Sequence, residues 1–258
     1  MFIASFRLKT LIQTWLFTLQ DFWDFPRLHP AREMKKRALD ESVTYAQKYM
    51  RTAVGVESAR QVLSMALDGV SVAGHFMEFG VYKGGTINFI AKHIGASQPV
   101  HGFDSFRGLQ EAWSGDGFNF DRKGRLPKVP GNVSLHTGFF ADTLPIWLEN
   151  NPGPVSFVHV DSDLYEPARC VLEHLENRLV PGTVIVFDEY FNYANWQAHE
   201  FRAFQELVER CQVKYEYLAY ARFQVALRIK SISPREPLHD QASDLAALGS
   251  VASERLLS

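Results

Sequence analysis

Four carboxylates sit at two strand-like runs of this 258-residue chain. V-H-V-D-S-D-L-Y-E-P carries Asp161 and Asp163, and V-I-V-F-D-E-Y-F carries Asp188 and Glu189. If both runs end at one rim of a sheet, the acids crowd, and they cannot all stay ionised without a cation or shifted protonation. A hard divalent ion, Mg²⁺ or Ca²⁺, suits such all-oxygen ligands. Helix capping is the alternative for part of the set, because Asp163 and Glu166 precede a helical stretch where acids are favoured. A third run, E-F-G-V-Y-K-G-G-T from Glu78 to Thr86, has glycines that let backbone approach a ligand closely. It matches neither the phosphate-binding loop nor the G-x-G-x-x-G fingerprint, so alone it reads equally as a cofactor loop or an ordinary strand–helix turn. A fourth, G-F-D-S-F, places Asp104 twenty residues beyond Gly84. A carboxylate there can accept both hydroxyls of a ribose. A turn cap is the other reading; beside the glycine loop, the ribose is expected.

These groups meet only if regular elements carry them to one edge. Short apolar runs predict strands at His75–Phe79, Val100–Phe103, Val133–His136, Val155–Val160, Val184–Phe187, Lys214–Ala219 and Phe223–Ile229. Helical stretches intervene at Thr86–His93, Thr143–Leu148 and Glu166–Arg178, and another follows at Trp196–Arg210. Alternating strands and helices imply an α/β fold, a doubly wound, mostly parallel sheet of seven strands closing on an antiparallel hairpin. Ligands of such sheets bind outside the carboxyl ends of the strands. Two further helices, Ala31–Met50 and one carrying Val62, Leu63, Ala66 and Leu67, make residues 1–70 an N-terminal helical extension. Residues 71–232 form the main domain, and the tail 233–258, with two prolines, is expected to be poorly ordered. The glycine-rich segment between Phe106 and Gly131, with Trp113, Phe118, Phe120 and four cations from Arg122 to Lys128, reads as a substrate-covering lid. Its cations suit an acidic or phosphorylated acceptor, or merely a solvated loop.

Composition narrows the class. Lys and Arg number 27 against 29 Asp and Glu, which argues against a nucleic-acid binder. Two cysteines, Cys170 and Cys211, are too few for a disulfide framework or a zinc site, so a cytoplasmic protein is expected. The uncharged run T-L-I-Q-T-W-L-F-T-L-Q is too short to span a membrane. Residues 1–25 read as an amphipathic helix docking on the body or on another subunit of a homo-oligomer, or as a membrane-surface contact.

In order along the chain, E-F-G-V-Y-K-G-G, G-F-D-S-F-R-G-L, G-F-F-A-D-T-L-P, D-S-D-L-Y-E-P and F-D-E-Y resemble the macrocin-type (TylF/MycF-like) sugar O-methyltransferases, over about Gly74 to Arg210. The resemblance implies a class I methyltransferase fold, S-adenosylmethionine as methyl donor, and Mg²⁺-dependent methylation of a sugar or glycan hydroxyl. It also implies that Glu78, Gly80 and Tyr82 line the methionine end of the cofactor. Asp104 would hold the ribose, and Ser105, Gly138 and Phe139 would border the adenine. Asp161, Asp188 and Glu189 would be the metal ligands, with Glu189 standing where the characterised sugar enzymes have aspartate. A base must take the acceptor's proton, and Asp163 and His199 are the two candidates. A nicotinamide-dependent oxidoreductase would need the absent G-x-G-x-x-G loop and leaves the acid cluster idle. A non-catalytic binding protein that retains the fold is the remaining alternative.

Overall fold

The computed structural model describes residues 29–108 and 120–233. The expected helix of residues 1–25, Trp113 and Phe118 of the expected lid, and the tail beyond 233 lie outside them. Helix α1 (Pro30–Tyr49) leads to a two-residue strand β1 (Val54–Gly55) and helix α2 (Ala59–Asp68). Ser58 starts α2 by accepting a hydrogen bond from the Gln61 N–H, and the Gln61 side-chain oxygen in turn accepts one from the Glu57 N–H. Alternation then sets in: β2 (His75–Phe79), α3 (Gly85–Ile94), β3 (Val100–Asp104), β4 (Val133–Thr137), α4 (Phe140–Asn150), β5 (Val155–Val160), α5 (Tyr165–Leu175) and β6 (Leu179–Phe187). Helix α6 (Glu200–Arg210) precedes the hairpin of β7 (Lys214–Tyr220) and β8 (Val225–Ser231).

The strands form one sheet in the order β1-β7-β8-β6-β5-β2-β3-β4. Strands β2 to β6 run parallel, and β8 pairs antiparallel with both β6 and β7. The doubly wound architecture with its closing hairpin is therefore as expected, with eight strands rather than seven. The extra one, β1, pairs with Ala219 and Tyr220 at the sheet edge. Two residues are too few to show a strand period.

Alternation along the strands divides the core. Met77, Phe79, Val158, Val160, Ile185 and Phe187 face Leu144, Leu172 and Phe204 of α4, α5 and α6. Phe76, Phe157, Val184 and Val186 face Val62, Leu63, Ile87 and Ile90 of α2 and α3. Strand β5 is buried along its whole length, as a central parallel strand covered on both faces must be. Burying each large apolar side chain stabilises the fold by roughly 1.5–3 kcal/mol.

Two features position the site. The chain winds outward from β2 to β3 and β4 in one direction, and from β5 to β6 in the other, so β2 and β5 flank the switch point where a crevice opens. The register then levels the strand tips: Phe79 pairs with Val160, and Val160 with Phe187. Gly80, Asp161 and Asp188 consequently leave the sheet side by side.

Candidate functional site

Each tip residue is fixed by backbone hydrogen bonds that continue the ladder. The Asp161 N–H donates to the Phe79 carbonyl at 2.8 Å, and the Asp188 N–H to the Val160 carbonyl at 2.9 Å. Gly80 has φ +97°, and a Cβ there would collide with the Asp161 carbonyl oxygen. Only glycine lets the β2 and β5 tips approach this closely. Above the tips lies a cavity of about 730 Å³, running from Gly80 and Asp104 across Gly138 and Asp161 to helix α5 and His199. Four lining residues, Tyr82, Phe106, Phe120 and Asp163, hold positive φ without being glycine. Such backbone costs on the order of 1–3 kcal/mol apiece and clusters where sites are built.

The cavity brings together Gly80, Tyr82, Asp104, Ser105, Gly138, Phe139, Asp161, Asp163 and His199 of the residues singled out in the sequence. Glu78, Asp188 and Glu189 are not in its lining. Asp104 organises the turn beside it. Its Oδ2 accepts from the Val81 and Tyr82 N–H groups at 2.8 and 2.7 Å, and its Oδ1 from the Phe106 N–H at 2.6 Å. A carboxylate has about four acceptor positions, so one is left for a ligand hydroxyl.

Glu78 is fully buried, and its Oε1 accepts from Thr86 Oγ1 and from His159 Nδ1, the latter at 3.0 Å. His159 Nε2 lies 3.7 Å from Asp188 Oδ1, a close charge contact rather than a hydrogen bond. Burial alone would lower the His159 pKa, but the Asp188 and Glu78 carboxylates outweigh it and hold the imidazole well above its usual value. Asp188 shows the converse: burial pushes it up, and the adjoining His159 wins and keeps it low. Burial pushes the Glu78 carboxyl itself up, against the opposing pull of His159, and the resulting buried polar chain ties the first turn of α3 to the tip of β6. His159 was overlooked in the sequence, although a histidine within the apolar run V-S-F-V-H-V was a signal that a polar partner lay opposite.

The remaining acids gather beside it. Asp161, Asp163 and Glu189 each offer a carboxylate oxygen, all within 4.8 Å of one another, and Glu189 Oε2 is buried with no hydrogen-bond partner among the described residues. Burial and the Asp188 charge push Asp161 well above its ordinary value and Asp163 up to about 7; the same causes, with Glu200, push Glu189 up to about 12. Three carboxylates whose oxygens lie this close form an all-oxygen donor set that fits a hard divalent cation. The geometry places Asp163 beside Asp161 and Glu189, where the ligand set expected from the resemblance has Asp188, which is engaged with His159.

Glu200, also overlooked, is fully buried at the start of α6. It accepts from the Ser162 N–H and hydroxyl at 3.1 and 3.3 Å, and from the Glu189 N–H at 3.1 Å, clamping the two acidic loops together. Burial pushes its own carboxyl up to about 8. Nothing local in the sequence marks it off from an ordinary acid in a first helical turn. The helix expected over Trp196–Arg210 is in fact a 3₁₀ turn (Trp196–Ala198) and α6, broken at His199. The break, with ψ −126°, puts His199 on the cavity wall rather than on a helix surface. Burial lowers its pKa, and its buried Nδ1 has no hydrogen-bond partner among the described residues.

Residues 77–190 match a family described as a methyltransferase domain. A Streptomyces olivaceus protein named as 8-demethyl-8-(2,3-dimethoxy-alpha-L-rhamnosyl)-tetracenomycin-C 4'-O-methyltransferase is 30% identical over 154 residues, 50% of this chain and 57% of that protein. The match therefore spans less than two thirds of that relative's length. Among solved structures, a TDP-rhamnose 3'-O-methyltransferase of calicheamicin biosynthesis aligns with a TM-score of 0.49 at 24% identity, over 66% of this chain and 78% of that one. The O-methyltransferase NovP aligns with a TM-score of 0.49 at 22% identity, over 66% and 77% of the two chains.

Proposed function

We propose that this chain transfers the methyl group of S-adenosylmethionine to a hydroxyl of a sugar or glycan. The observation that carries the reading is the cavity at the β2/β5 switch point, walled by the Asp104-anchored turn on one side and by Asp161 and Asp163 on the other, with a Glu189 carboxylate oxygen within 4.8 Å of theirs behind the wall. Apart from Ala198 and His199, the cavity's lining lies within the segment that matches the methyltransferase family. The name of the Streptomyces relative supports a rhamnosyl-type acceptor.

S-adenosylmethionine, when bound, supplies an already activated methyl group, so the chain's task is alignment and the handling of one proton. Gly80 and Tyr82 form the wall assigned to the methionine end, Asp104 keeps one acceptor position for a ribose hydroxyl, and Ser105, Gly138 and Phe139 border the adenine. Asp161, Asp163 and Glu189, with Asp188 on the same rim, would hold a divalent cation, which would supply polarisation of the acceptor hydroxyl. His199 on the cavity wall takes the proton: burial lowers its pKa, so the imidazole is neutral at neutral pH and keeps one ring nitrogen as an acceptor. Asp163, the other candidate base, stands among the cation's carboxylates instead.

Calorimetry with S-adenosylhomocysteine and transfer of labelled methyl to rhamnosylated acceptors test the reading. Chelation should abolish transfer, Mg²⁺ should restore it, and S-adenosylhomocysteine affinity should stay unchanged throughout. Asp188→Asn should reduce turnover at least tenfold with the same cofactor affinity. A wild-type protein that binds no S-adenosylhomocysteine would sink the reading; transfer that survives chelation would sink the cation alone.

A further inference from the structure

Charge is unevenly distributed around the cavity. Its acids lie at the tips of β5 and β6. Two arginines also line it, Arg122 and Arg169, and they differ in one respect. Arg169 on α5 is neutralised by Glu166 at 2.8 Å and Glu173 at 3.0 Å. Arg122 forms no ion pair among the described residues.

The guanidinium of Arg122 is nonetheless held in place. Its Nε donates to the Arg125 carbonyl at 2.9 Å, and its central carbon lies 5.8 Å from the centre of the Tyr82 ring. Tyr82 is in turn packed edge-on against Phe120, 5.5 Å away. The backbone on either side is tied to the turn after β3, because the Arg122 and Gly124 N–H groups both donate to the Phe106 carbonyl. An arginine tethered through Nε and laid against an aromatic ring keeps its two terminal NH₂ groups for one planar, bidentate partner.

We infer that Arg122 is an anion-binding residue of this cavity, receiving a carboxylate or phosphate group of the bound ligand beside Tyr82. The inference rests on the methyl-transfer reading and extends it. Two sources of that anion are chemically equivalent at the guanidinium: the carboxylate of the amino-acid end of the cofactor, and a phosphate of a nucleotide-linked sugar acceptor.

Arg122→Gln preserves much of the side chain's packing on Tyr82 and removes the charge, and Arg122→Lys restores the charge without the fork. Calorimetry on the full chain with three probes separates the sources: S-adenosylhomocysteine, 5'-methylthioadenosine, which lacks the amino acid, and thymidine diphosphate. A cofactor role predicts that Arg122→Gln binds S-adenosylhomocysteine roughly tenfold or more weakly, binds 5'-methylthioadenosine as the wild type does, and recovers partly in Arg122→Lys. An acceptor role predicts the same loss for thymidine diphosphate alone. Wild-type affinity of Arg122→Gln for all three probes overturns the inference and leaves methyl transfer standing. A uniform loss that includes 5'-methylthioadenosine also overturns it, because an anion contact cannot weaken a ligand without the anion. Wild-type protein that binds no S-adenosylhomocysteine overturns the methyl-transfer reading, and this inference falls with it.

Discussion

A carboxylate at a strand tip can serve a ligand or its own backbone, and Asp104 shows how the two roles combine. Three backbone N–H groups occupy most of its acceptor capacity, so its removal injures the turn as well as the ligand contact. Asp104→Ala should lower stability by about 1–3 kcal/mol, since buried N–H donors lose their acceptor, and should weaken S-adenosylhomocysteine binding as well. Asp104→Ser, which retains a single short acceptor, should recover part of both losses. Urea denaturation alongside calorimetry measures the two effects separately, and an unchanged unfolding midpoint in Asp104→Ala would refute the anchoring role. His199 offers a test of opposite character. Burial depresses its pKa, so its neutral, proton-accepting form persists below pH 6.5. Methyl transfer should hold on acidification past that point and fall only as His199 becomes protonated. In His199→Gln, turnover should drop by roughly 10²-fold and that acid limb should vanish from the pH–rate profile.

At the scale of elements, histidines on neighbouring strands form a second titratable group, away from the cavity. His101 on β3 and His136 on β4 approach with Nδ1 and Nε2 3.3 Å apart, and His75 lies 6.0 Å from the His101 ring, all packed near Trp147 of α4. Burial, reinforced by His136 and His75, lowers the His101 pKa to about 4, and burial lowers that of His136. The sign of the linkage follows. Between pH 4 and 6.5 the unfolded chain binds protons that the folded chain refuses, so stability falls as the pH falls through this window. The melting temperature should therefore decline between pH 7 and pH 5, and His101→Gln should flatten the decline. An equally steep decline in the variant would assign the acid sensitivity elsewhere.

Across the whole molecule, α1 and the sheet are joined by phenols. Tyr217 on β7 meets the hydroxyls of Tyr45 on α1 at 2.6 Å and of Tyr190, just beyond β6, at 2.8 Å. Burial raises the pKa of all three, so they stay protonated and serve purely as hydrogen-bonding groups. Tyr217→Phe removes the shared partner and should cost about 1–3 kcal/mol, because the Tyr45 hydroxyl is stranded and the Tyr190 hydroxyl keeps only its 3.3 Å contact with Gln205. Its effect on S-adenosylhomocysteine affinity should be negligible, since none of the three lines the cavity. Together with β1 and α2, which pack on the sheet, this contact makes the described part of residues 1–70 continuous with the main body. No helix among the described residues is long and apolar enough to cross a membrane.

The amino-acid sequence alone determined the strands whose apolar runs are long enough to carry a pattern. It determined that they alternate with helices, and that Asp104, Asp161 and Asp188 follow strand ends. These are local consequences of residue type and spacing, which is why Val155–Val160 was legible to the residue. The two-residue β1 was not, because pairing with Ala219 and Tyr220 makes it a strand. Nor was the helix break at His199 or the tie between Glu200 and the Ser162 and Glu189 backbones. Only the tertiary structure decided which acid faces which partner. Side-chain direction at a strand tip depends on register and on the loop beyond it, so Asp188 turns to His159 while Asp163, in a left-handed turn, joins Asp161 and Glu189. Charges adjacent in sequence are thereby given different neighbours, and the neighbour sets which of them stays ionised.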